Sequence, residues 1–285
     1  MSIQLIQDRL NSYACQSPVE EEQALREIAQ EVVLAALGRT DFFSNAAFHG
    51  GTSLRILYGL NRFSEDLDFA LQQPDRAFQL QPYLKSVATE LTAYGYHLET
   101  QDRSQTDVTV RKAFLKEDSL VRVLQLGHLR PDRSTRKIRI KLEVDTNPPA
   151  GAVLESKFLD FPFVSSLVVH DAASLFAGKV HALLSRDYIK GRDWYDFVWY
   201  TSRGTPINHI LLSAALQQQG PWKVQGCKTD DPWCIERLEK RIRSLAWTEV
   251  AADVERFVKT HELPSLKLWS EAFFLSQLDK YASRI

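Results

Sequence analysis

Apolar residues follow different spacings in the two halves of the chain. Up to about residue 145, helical spacing alternates with short stretches in which every second residue is apolar, whereas from Ser166 onward apolar residues recur every three or four positions. This order predicts an α+β fold, with a mixed sheet flanked by helices and then a C-terminal helical bundle. We expect an α/β domain with N-terminal helices over 1–150 and a mainly helical domain over 151–285, because Pro148 and Pro149 would end the last strand.

The individual elements follow from the same spacings. Helices are predicted over 3–14, 18–37, 53–60 and 82–94, and then over 171–186, 193–201, 206–218, 231–245, 247–260 and 268–283. Strands are predicted over 66–71, 106–114, 120–127 and 137–145. In the last strand every second residue from Ile138 to Val144 is apolar, so the charged residues from Lys137 to Asp145 share the opposite face.

Composition narrows the class of protein. The 285 residues are 44% hydrophobic and 25% charged, which excludes disordered, collagen-like and low-complexity proteins. Because 35 Lys and Arg face 36 Asp and Glu, for a net charge of -1, any site for a nucleic acid has to be a local basic surface. Three cysteines are too few for a disulfide framework, and no signal peptide or membrane span is evident; we expect a cytoplasmic protein with no membrane partner.

Two aspartates are the first candidates for chemistry. Asp66 and Asp68 are two positions apart on a predicted strand, so their side chains project from one face with about 7 Å between their backbone positions. Carboxylates arranged in this way can bind a divalent metal ion together. The alternative is a solvated strand edge or a helix-capping aspartate.

A glycine turn, Gly50-Gly51-Thr52, lies one short helix before these aspartates. Exposed amides at the start of a helix bind phosphate oxygens, and carboxylates bind Mg²⁺, so the two features together suit a nucleoside triphosphate (NTP) with Mg²⁺. The spacing matches neither a P-loop nor a dinucleotide-binding loop. An ordinary backbone turn is the alternative.

A third carboxylate would complete a two-metal site. Glu143 and Asp145 are both available on the polar face of the strand at 137–145, and Glu143 is favoured because it is closer to the strand centre. The competing interpretation is that either residue pairs with a lysine or arginine on a neighbouring strand.

Charged residues also recur in the helical half. Lys179 and Arg186 are seven positions apart, on one side of a predicted helix, where a cation could hold a triphosphate. Asp193 and Asp196 are three apart at a predicted helix start, where they could cap the helix or anchor a lysine or arginine. Capping is favoured for Asp193, and Asp196 is the better functional candidate.

Three segments together resemble a known family. The segment FHGGTSLRILYGLNRFSEDLDFAL (48–71), the strand KIRIKLEVD (137–145) and the segment GKVHALLSRDYIKGRDWYDFVWY (178–200) are similar to motifs of the AbiEii/MenT nucleotidyltransferase toxins, members of the AbiEii/AbiGii toxin family in the polymerase-β-like superfamily. The resemblance implies a nucleotidyltransferase-like sheet domain, with the helical domain completing the active-site cleft.

The resemblance also implies roles for individual residues. It makes Asp66 and Asp68 metal ligands, with Glu143 or Asp145 as the third, and it makes Lys179 and Asp196 essential residues. The residues expected around the nucleotide are Gly50, Gly51, Thr52, Ser53, Arg62, Ser64, Lys179 and Arg192.

The reaction that this family performs would be the transfer of a nucleoside monophosphate (NMP) from an NTP, with Mg²⁺ or Mn²⁺, to the 3′ end of tRNA. Such a toxin of a type IV-like toxin–antitoxin system blocks translation, and its partner is a winged-helix antitoxin encoded nearby. The basic segment from Arg130 to Lys141 could steer an RNA backbone, or it could be a solvated hairpin. The alternative functions are transfer to a small molecule or a protein, and a catalytically silent module that binds RNA or protein.

Overall fold

The computed structural model describes residues 2–96, 99–102, 110–117, 138–222 and 229–284. Within these ranges, no helix combines the length and the apolar character that crossing a membrane requires. The predicted strand at 120–127, the start of the strand predicted from residue 106, and most of the basic segment before Ile138 lie outside the described residues.

Helices and strands are mixed up to His170, and every described element after that residue is helical. The helices are α1 (Ser2–Ser12), α2 (Pro18–Gly38), α3 (Phe42–Asn45), α4 (Gly50–Tyr58), α5 (Gln81–Ala93), α6 (Ala172–Ser185), α7 (Gly191–Arg203), α8 (His209–Gln218), α9 (Asp231–Arg243), α10 (Trp247–Val254) and α11 (Glu271–Ala282). The strands are β1 (Ala46–His49), β2 (Asp66–Leu71), β3 (Glu99–Asp102), β4 (Val110–Glu117), β5 (Ile138–Asp145), β6 (Leu154–Leu159) and β7 (Ser165–His170). Short 3₁₀ helices span Glu255–Phe257 and Thr260–Leu268.

The strands of the described ranges form one mixed sheet in the order β3-β4-β5-β2-β1-β7-β6. The acidic strand β2 lies at its centre, antiparallel to β1 and parallel to β5. The alternation predicted for 66–71 and for 137–145 is therefore confirmed, and the two strands are direct neighbours.

One face of β2 and β5 is the core face. Leu67 and Leu142 are completely buried there, in a cluster that also contains Ile28 and Val32 of α2. Because successive side chains of a strand point to opposite faces, burial of these residues directs the charged residues of both strands away from the core.

The helical pattern expected from Ser166 onward is wrong for its first residues, because Ser165–His170 forms strand β7. Leu167 and Val169 are fully buried, and Val169 pairs with Phe48 of β1 in parallel register. Strand β6, which the spacing did not predict, has a largely exposed face that includes Phe158.

The chain divides into two compact units. The sheet unit comprises Met1–Gly59, Phe63–Pro148 and Glu155–Val169, and the helical unit comprises Leu60–Arg62, Pro149–Leu154 and His170–Ile285. The boundary expected after residue 150 falls within Pro149–Leu154, but most of β6 and β7 belongs to the sheet unit because both strands pair within the sheet.

Helix α2 carries buried carboxylates on the side that meets α1 and α4. Arg9 donates hydrogen bonds to the Glu31 carboxylate, with its Nε atom 3.0 Å from Oε2, and Arg55 Nε donates to Glu27 Oε2 over 2.8 Å. Burial raises the pKa of Glu31 to about 7, with a contribution from the negative charge of Glu27 and against the opposing effect of Arg9.

The helical unit has an aromatic core around Phe274 of α11. Its ring stacks on Trp247 with 3.9 Å between centroids and meets Trp269 edge-on at 5.1 Å. Trp194 of α7 also meets Phe274 edge-on, at 5.5 Å. These contacts anchor α7, the helix that carries Asp193 and Asp196, to α10 and α11.

Candidate active site

Helix α4 of the sheet unit begins at a glycine in the left-handed region of backbone conformation. The φ angle of Gly50 is 79°, and a Cβ atom at this position would lie 2.6 Å from Asp68 Oδ2. Both the conformation and the close approach of the carboxylate therefore require glycine. The turn places the first residues of α4 directly beside Asp68.

The hydroxyl residues that follow the glycines are buried. Thr52 Oγ1 is hydrogen-bonded to Ser64 Oγ at 2.8 Å and to the backbone carbonyl of Asp66, so it ties α4 to the start of β2. Ser53 is also fully buried, and within the described part of the chain its hydroxyl has no hydrogen-bond partner. A buried hydroxyl without a partner is an expected feature of a site that binds a polar ligand.

The parallel pairing of β2 with β5 determines which carboxylates are neighbours. Asp68 is opposite Glu143, whereas Asp145 is opposite Ala70. The Asp145 carboxylate accepts a hydrogen bond from the Asn147 backbone N–H over 2.8 Å, which is a turn-forming contact. The register therefore brings Glu143, rather than Asp145, next to Asp68.

Two lysines contact Glu143 in this structure. Lys141 Nζ lies 2.5 Å from Glu143 Oε2, and Lys112 Nζ lies 3.6 Å from Oε1. Burial lowers the pKa of Lys141, whereas the hydrogen bond to Glu143 and the charges of Glu143, Asp66 and Asp68 raise it. The raising effects are larger together, so the net shift of this pKa is upward. Lys141, which the sequence grouped with an RNA-steering segment, instead lies among the acidic residues.

The donor groups of this face fit a hard divalent cation, because carboxylate oxygens are the ligands that Mg²⁺ and Mn²⁺ prefer. Asp66 and Asp68 share a face of β2, and the glycine turn allows close approach to Asp68. Among the residues that the structure describes, no three carboxylate, imidazole or thiol groups converge as a metal cluster. Asp66 and Asp68 therefore supply only part of the ligands that a metal ion needs. For Glu143 to become a third ligand, its carboxylate would have to leave Lys141 and bind the ion instead.

A second charged cluster lies wholly within the helical unit. Lys179 Nζ of α6 is 2.6 Å from Asp193 Oδ1 and 2.7 Å from Asp196 Oδ2. Arg62 makes a two-point pair with Asp196, with both nitrogen–oxygen distances at 2.6 Å. Arg186 contacts the remaining oxygen of Asp193. Both carboxylates therefore have a cation at each oxygen.

Burial distinguishes this cluster from a surface ion-pair network. Arg62 is 2% exposed and Asp196 is fully buried. Burial alone would raise the pKa of Asp193, but the positive charges of Lys179, Arg186 and Lys190 lower it to about 2. Both aspartates thus act as anchors for cations, and Asp193 does not cap α7, for which no side-chain cap is formed.

The residues predicted for the site therefore fall into two groups. The sheet unit brings together Gly50, Gly51, Thr52, Ser53, Ser64, Asp66, Asp68 and Glu143. The helical unit contains Arg62, Lys179, Arg192 and Asp196.

Comparison with known proteins now decides the family. The family model described as "Nucleotidyl transferase AbiEii toxin, Type IV TA system" matches residues 32–274. The chain belongs to the AbiEii nucleotidyltransferase toxin family. The resemblance seen in the sequence motifs is confirmed, and the chain is a toxin-type nucleotidyltransferase for which a type IV system implies an antitoxin partner. A comparison with curated proteins gives no match.

Solved structures support the same fold. MenT4, a nucleotidyltransferase toxin from Mycobacterium tuberculosis H37Rv, has a TM-score of 0.52 at 17% identity, over 96% of this chain and 99% of MenT4. A Helicobacter pylori protein, JHP933, has a TM-score of 0.52 at 17% identity, over 92% of this chain and 91% of JHP933. An H. pylori protein described provisionally as a nucleotidyltransferase reaches 0.53 at 17% identity, over 90% of this chain and 92% of its own. The predicted α+β class is thereby confirmed.

Proposed function

We propose that this AbiEii family member transfers an NMP from an NTP to the 3′ end of tRNA in the presence of Mg²⁺ or Mn²⁺, and that this modification blocks translation. The observation that carries the proposal is the position of Asp68 against the glycine that opens α4. It joins a carboxylate suited to a metal ion with backbone amides suited to phosphate.

Nucleotide binding in the sheet unit would use the turn at Gly50 and Gly51 and the first turn of α4. Backbone N–H groups at a helix start have no partner within the helix and favour negative charge. The Ser53 hydroxyl, buried and without a partner in the described part of the chain, would supply a further donor. Thr52 and Ser64 would act indirectly, since their hydroxyls bind each other.

Metal binding would involve Asp66 and Asp68, with Glu143 as the third ligand after it releases Lys141. A bound divalent ion would supply positive charge against the phosphates. The side chains of this unit would hold the nucleotide so that an acceptor hydroxyl can approach the α-phosphorus.

The transfer itself forms one bond and breaks one. The acceptor oxygen bonds to the α-phosphorus, the bond from the α-phosphorus to the bridging oxygen of the β-phosphate breaks, and pyrophosphate leaves. The hydroxyl proton passes to a carboxylate, for which Glu143 is the candidate, or to water. No covalent intermediate with the protein is needed.

For the helical unit we propose that Lys179 and Asp196 are essential because they organise the ion-pair cluster. Arg62 would serve as a positioning residue, since its guanidinium is buried against Asp196. Arg192 would contribute positive charge toward the nucleotide.

The tRNA acceptor and the partner are proposals that follow from family membership. Of the basic segment expected to meet RNA, Arg139 is exposed on β5, while Arg130, Arg133, Arg136 and Lys137 lie outside the described residues. The antitoxin would be a winged-helix protein encoded nearby.

A direct assay tests the proposal. Purified protein is incubated with tRNA, Mg²⁺ and each of the four labelled NTPs in turn, and the tRNA 3′ ends are then sequenced. We expect one or more NTPs to extend the 3′ end, no extension in EDTA, and recovery with Mn²⁺. Label that enters a small molecule or a protein but never RNA would support a different acceptor. If the Asp68→Asn variant arrests growth as well as the unmodified chain does, the result would support the catalytically silent module.

A further inference from the structure

Strand β6 is the outermost of the described strands on its side of the sheet, beyond β7. Only five residues connect β6 to β7, so the two strands are antiparallel. The pairing extends past their ends, where the Asp171 backbone N–H donates to the Val153 carbonyl over 2.9 Å. Because successive residues of an antiparallel strand direct their backbone groups to opposite sides, the N–H and C=O groups of Leu154, Ser156 and Phe158 point away from β7.

The open edge of β6 has little protection against pairing with another strand. Proteins usually protect such an edge with proline, a bulge or a covering segment. Leu154–Leu159 contains no proline, and no described residue outside the sheet forms a hydrogen bond with its backbone. Phe158 is 69% exposed and Leu154 is 36% exposed, whereas Leu159, on the other face, is buried in the core. An exposed apolar face thus lies beside the open edge.

The core-side face of β6 carries two opposite charges at fixed positions. Lys157 Nζ lies 3.4 Å from Glu155 Oε1 and 4.7 Å from the centre of the Tyr58 ring. The Tyr58 hydroxyl donates to Glu155 Oε1 over 2.5 Å. Both charged side chains remain partly exposed. They are therefore held beside the open edge, within reach of a strand that pairs with β6.

The sequence of β6 is complementary to itself when two copies lie antiparallel. If Ser156 of one copy is opposite Ser156 of the other, Glu155 is opposite Lys157 of the second copy, and Leu154 is opposite its Phe158. Opposite charges and apolar side chains at such cross-strand positions stabilise the pairing, and two-fold symmetry makes each contact occur twice. A strand of unrelated sequence could pair with the backbone but would not match these side chains.

We propose that β6 is a self-association surface, at which a second copy of this chain adds its own β6 to the sheet edge. The two-fold axis passes beside Ser156, and the backbone groups that point away from β7 pair with their equivalents in the second copy. Because the contact occupies the β6 edge of both chains, it closes as a dimer. Two six-residue strands bury a small area, so we expect a dissociation constant of about 10 to 100 µM.

A charge exchange tests the pairing and its register. Analytical ultracentrifugation of the full chain from about 1 to about 300 µM measures the dimer. We expect Glu155→Lys and Lys157→Glu each to weaken dimerisation about tenfold or more, because each variant places like charges opposite one another twice. Mixing the two variants should restore association to within about threefold of the unmodified chain, since two lysines then face two glutamates. A variant that failed to fold could not be rescued by mixing.

Matched surface variants control for changes in charge and in apolar surface. Lys85→Glu changes the net charge as Lys157→Glu does, but on the exposed surface of α5 in the same unit. Phe158→Thr should weaken the dimer about tenfold, whereas Val19→Thr removes a 51% exposed valine of α2. Both controls, Lys85→Glu and Val19→Thr, should dimerise like the unmodified chain.

Crosslinking locates the two-fold axis. Ser156→Cys should be joined to its own copy by a short bis-maleimide, because the axis brings these two positions together. Ser166→Cys is the control, since Ser166 is also exposed but lies on β7, one strand further from the edge. The unmodified chain, with three cysteines of its own, gives the background.

The possible results either support or overturn the proposal. A chain that stays monomeric up to about 300 µM would overturn it and leave the edge to a strand of another protein. Dimers that neither charge variant weakens, or crosslinking at Ser166→Cys as strong as at Ser156→Cys, would place the contact elsewhere. None of these measurements uses a nucleotide or tRNA, so a failure of NMP transfer would leave the β6 dimer unaffected.

Discussion

The Asp68 carboxylate lies directly against the backbone of Gly50, so that a Cβ atom at position 50 would be 2.6 Å from Oδ2. Gly50→Ala is therefore expected to displace Asp68 and to lower NMP transfer at least about 100-fold, as small misplacements of catalytic groups do. Alanine at a positive φ should also cost about 1 kcal/mol of stability.

Gly59 provides the control for backbone strain alone. Its φ angle is 77°, close to that of Gly50, but among the described residues no heavy atom lies within 4 Å of the point that a Cβ atom would occupy. Gly59→Ala should lose similar stability in urea unfolding and keep its transfer activity. Equal losses of activity in both variants would show that strain, rather than contact with Asp68, is responsible.

Replacing either Asp66 or Asp68 should lower activity without lowering the stability of the fold. Asp66→Asn and Asp68→Asn each remove one negative charge from a face on which carboxylates and Lys141 meet. We expect transfer to fall at least about 100-fold, because neutral amides are poor ligands for a hard divalent cation. The exposed Asp160 of the same unit supplies the control Asp160→Asn. Retained activity in both site variants would remove the aspartates from the mechanism.

Breaking the buried pair of Arg62 and Asp196 should destabilise the chain. Arg62→Met leaves the fully buried Asp196 carboxylate with Lys179 as its one remaining cation among the described residues, so the free energy of unfolding should fall by about 3 kcal/mol. Arg243, whose side chain is 53% exposed and pairs with two glutamates, is the surface counterpart, and Arg243→Met should cost less than about 1 kcal/mol. Urea denaturation compares them, and equal losses would contradict a stabilising role for burial of the pair.

The stability of the sheet unit should depend on pH through Glu31. Its pKa in the folded chain is about 7, above the ordinary value of 4.5, because burial favours the protonated form. The folded state therefore binds this proton more tightly than the unfolded state, and the free energy of unfolding should fall as pH rises from about 4.5 to about 7. Glu31→Gln should remove this part of the slope.

Glu90 serves as the comparison for that titration, because it also pairs with an arginine, Arg39, but on the surface. Glu90→Gln should leave the slope of the unmodified chain in place when chemical denaturation is repeated at several pH values. If Glu31→Gln and the unmodified chain give parallel curves between pH 4.5 and 7, the carboxylate of Glu31 does not titrate in that range.

Periodicity was a sufficient guide to the strands that carry the candidate site. In β2 polar and apolar residues alternate from Asp66 to Phe69, the apolar residues Ala70 and Leu71 follow, and the predicted bounds match the structure. The same reasoning failed for β7, because the six residues Ser165–His170 run into the helix that starts at Ala172, and so short an alternation is hidden by the longer helical pattern.

The spacing of residues along the chain does not show which residues contact one another across the fold, so it could not predict the contacts of the site residues. Whether Glu143 or Asp145 lies opposite Asp68 depends on the parallel register of β2 and β5. The buried Arg62 pairs with Asp196, which is 134 positions away.

Among the described strands, three lie on each side of β2, and this central position has a consequence for partial unfolding. Sheets fray from their edges, and fraying from β3 or from β6 must remove three of these strands before it reaches the hydrogen bonds that align Asp66 and Asp68. The amides of β2 should therefore be among the slowest of the sheet to exchange with deuterium. Sequence change at either edge can accordingly accumulate while the alignment of the two carboxylates is preserved.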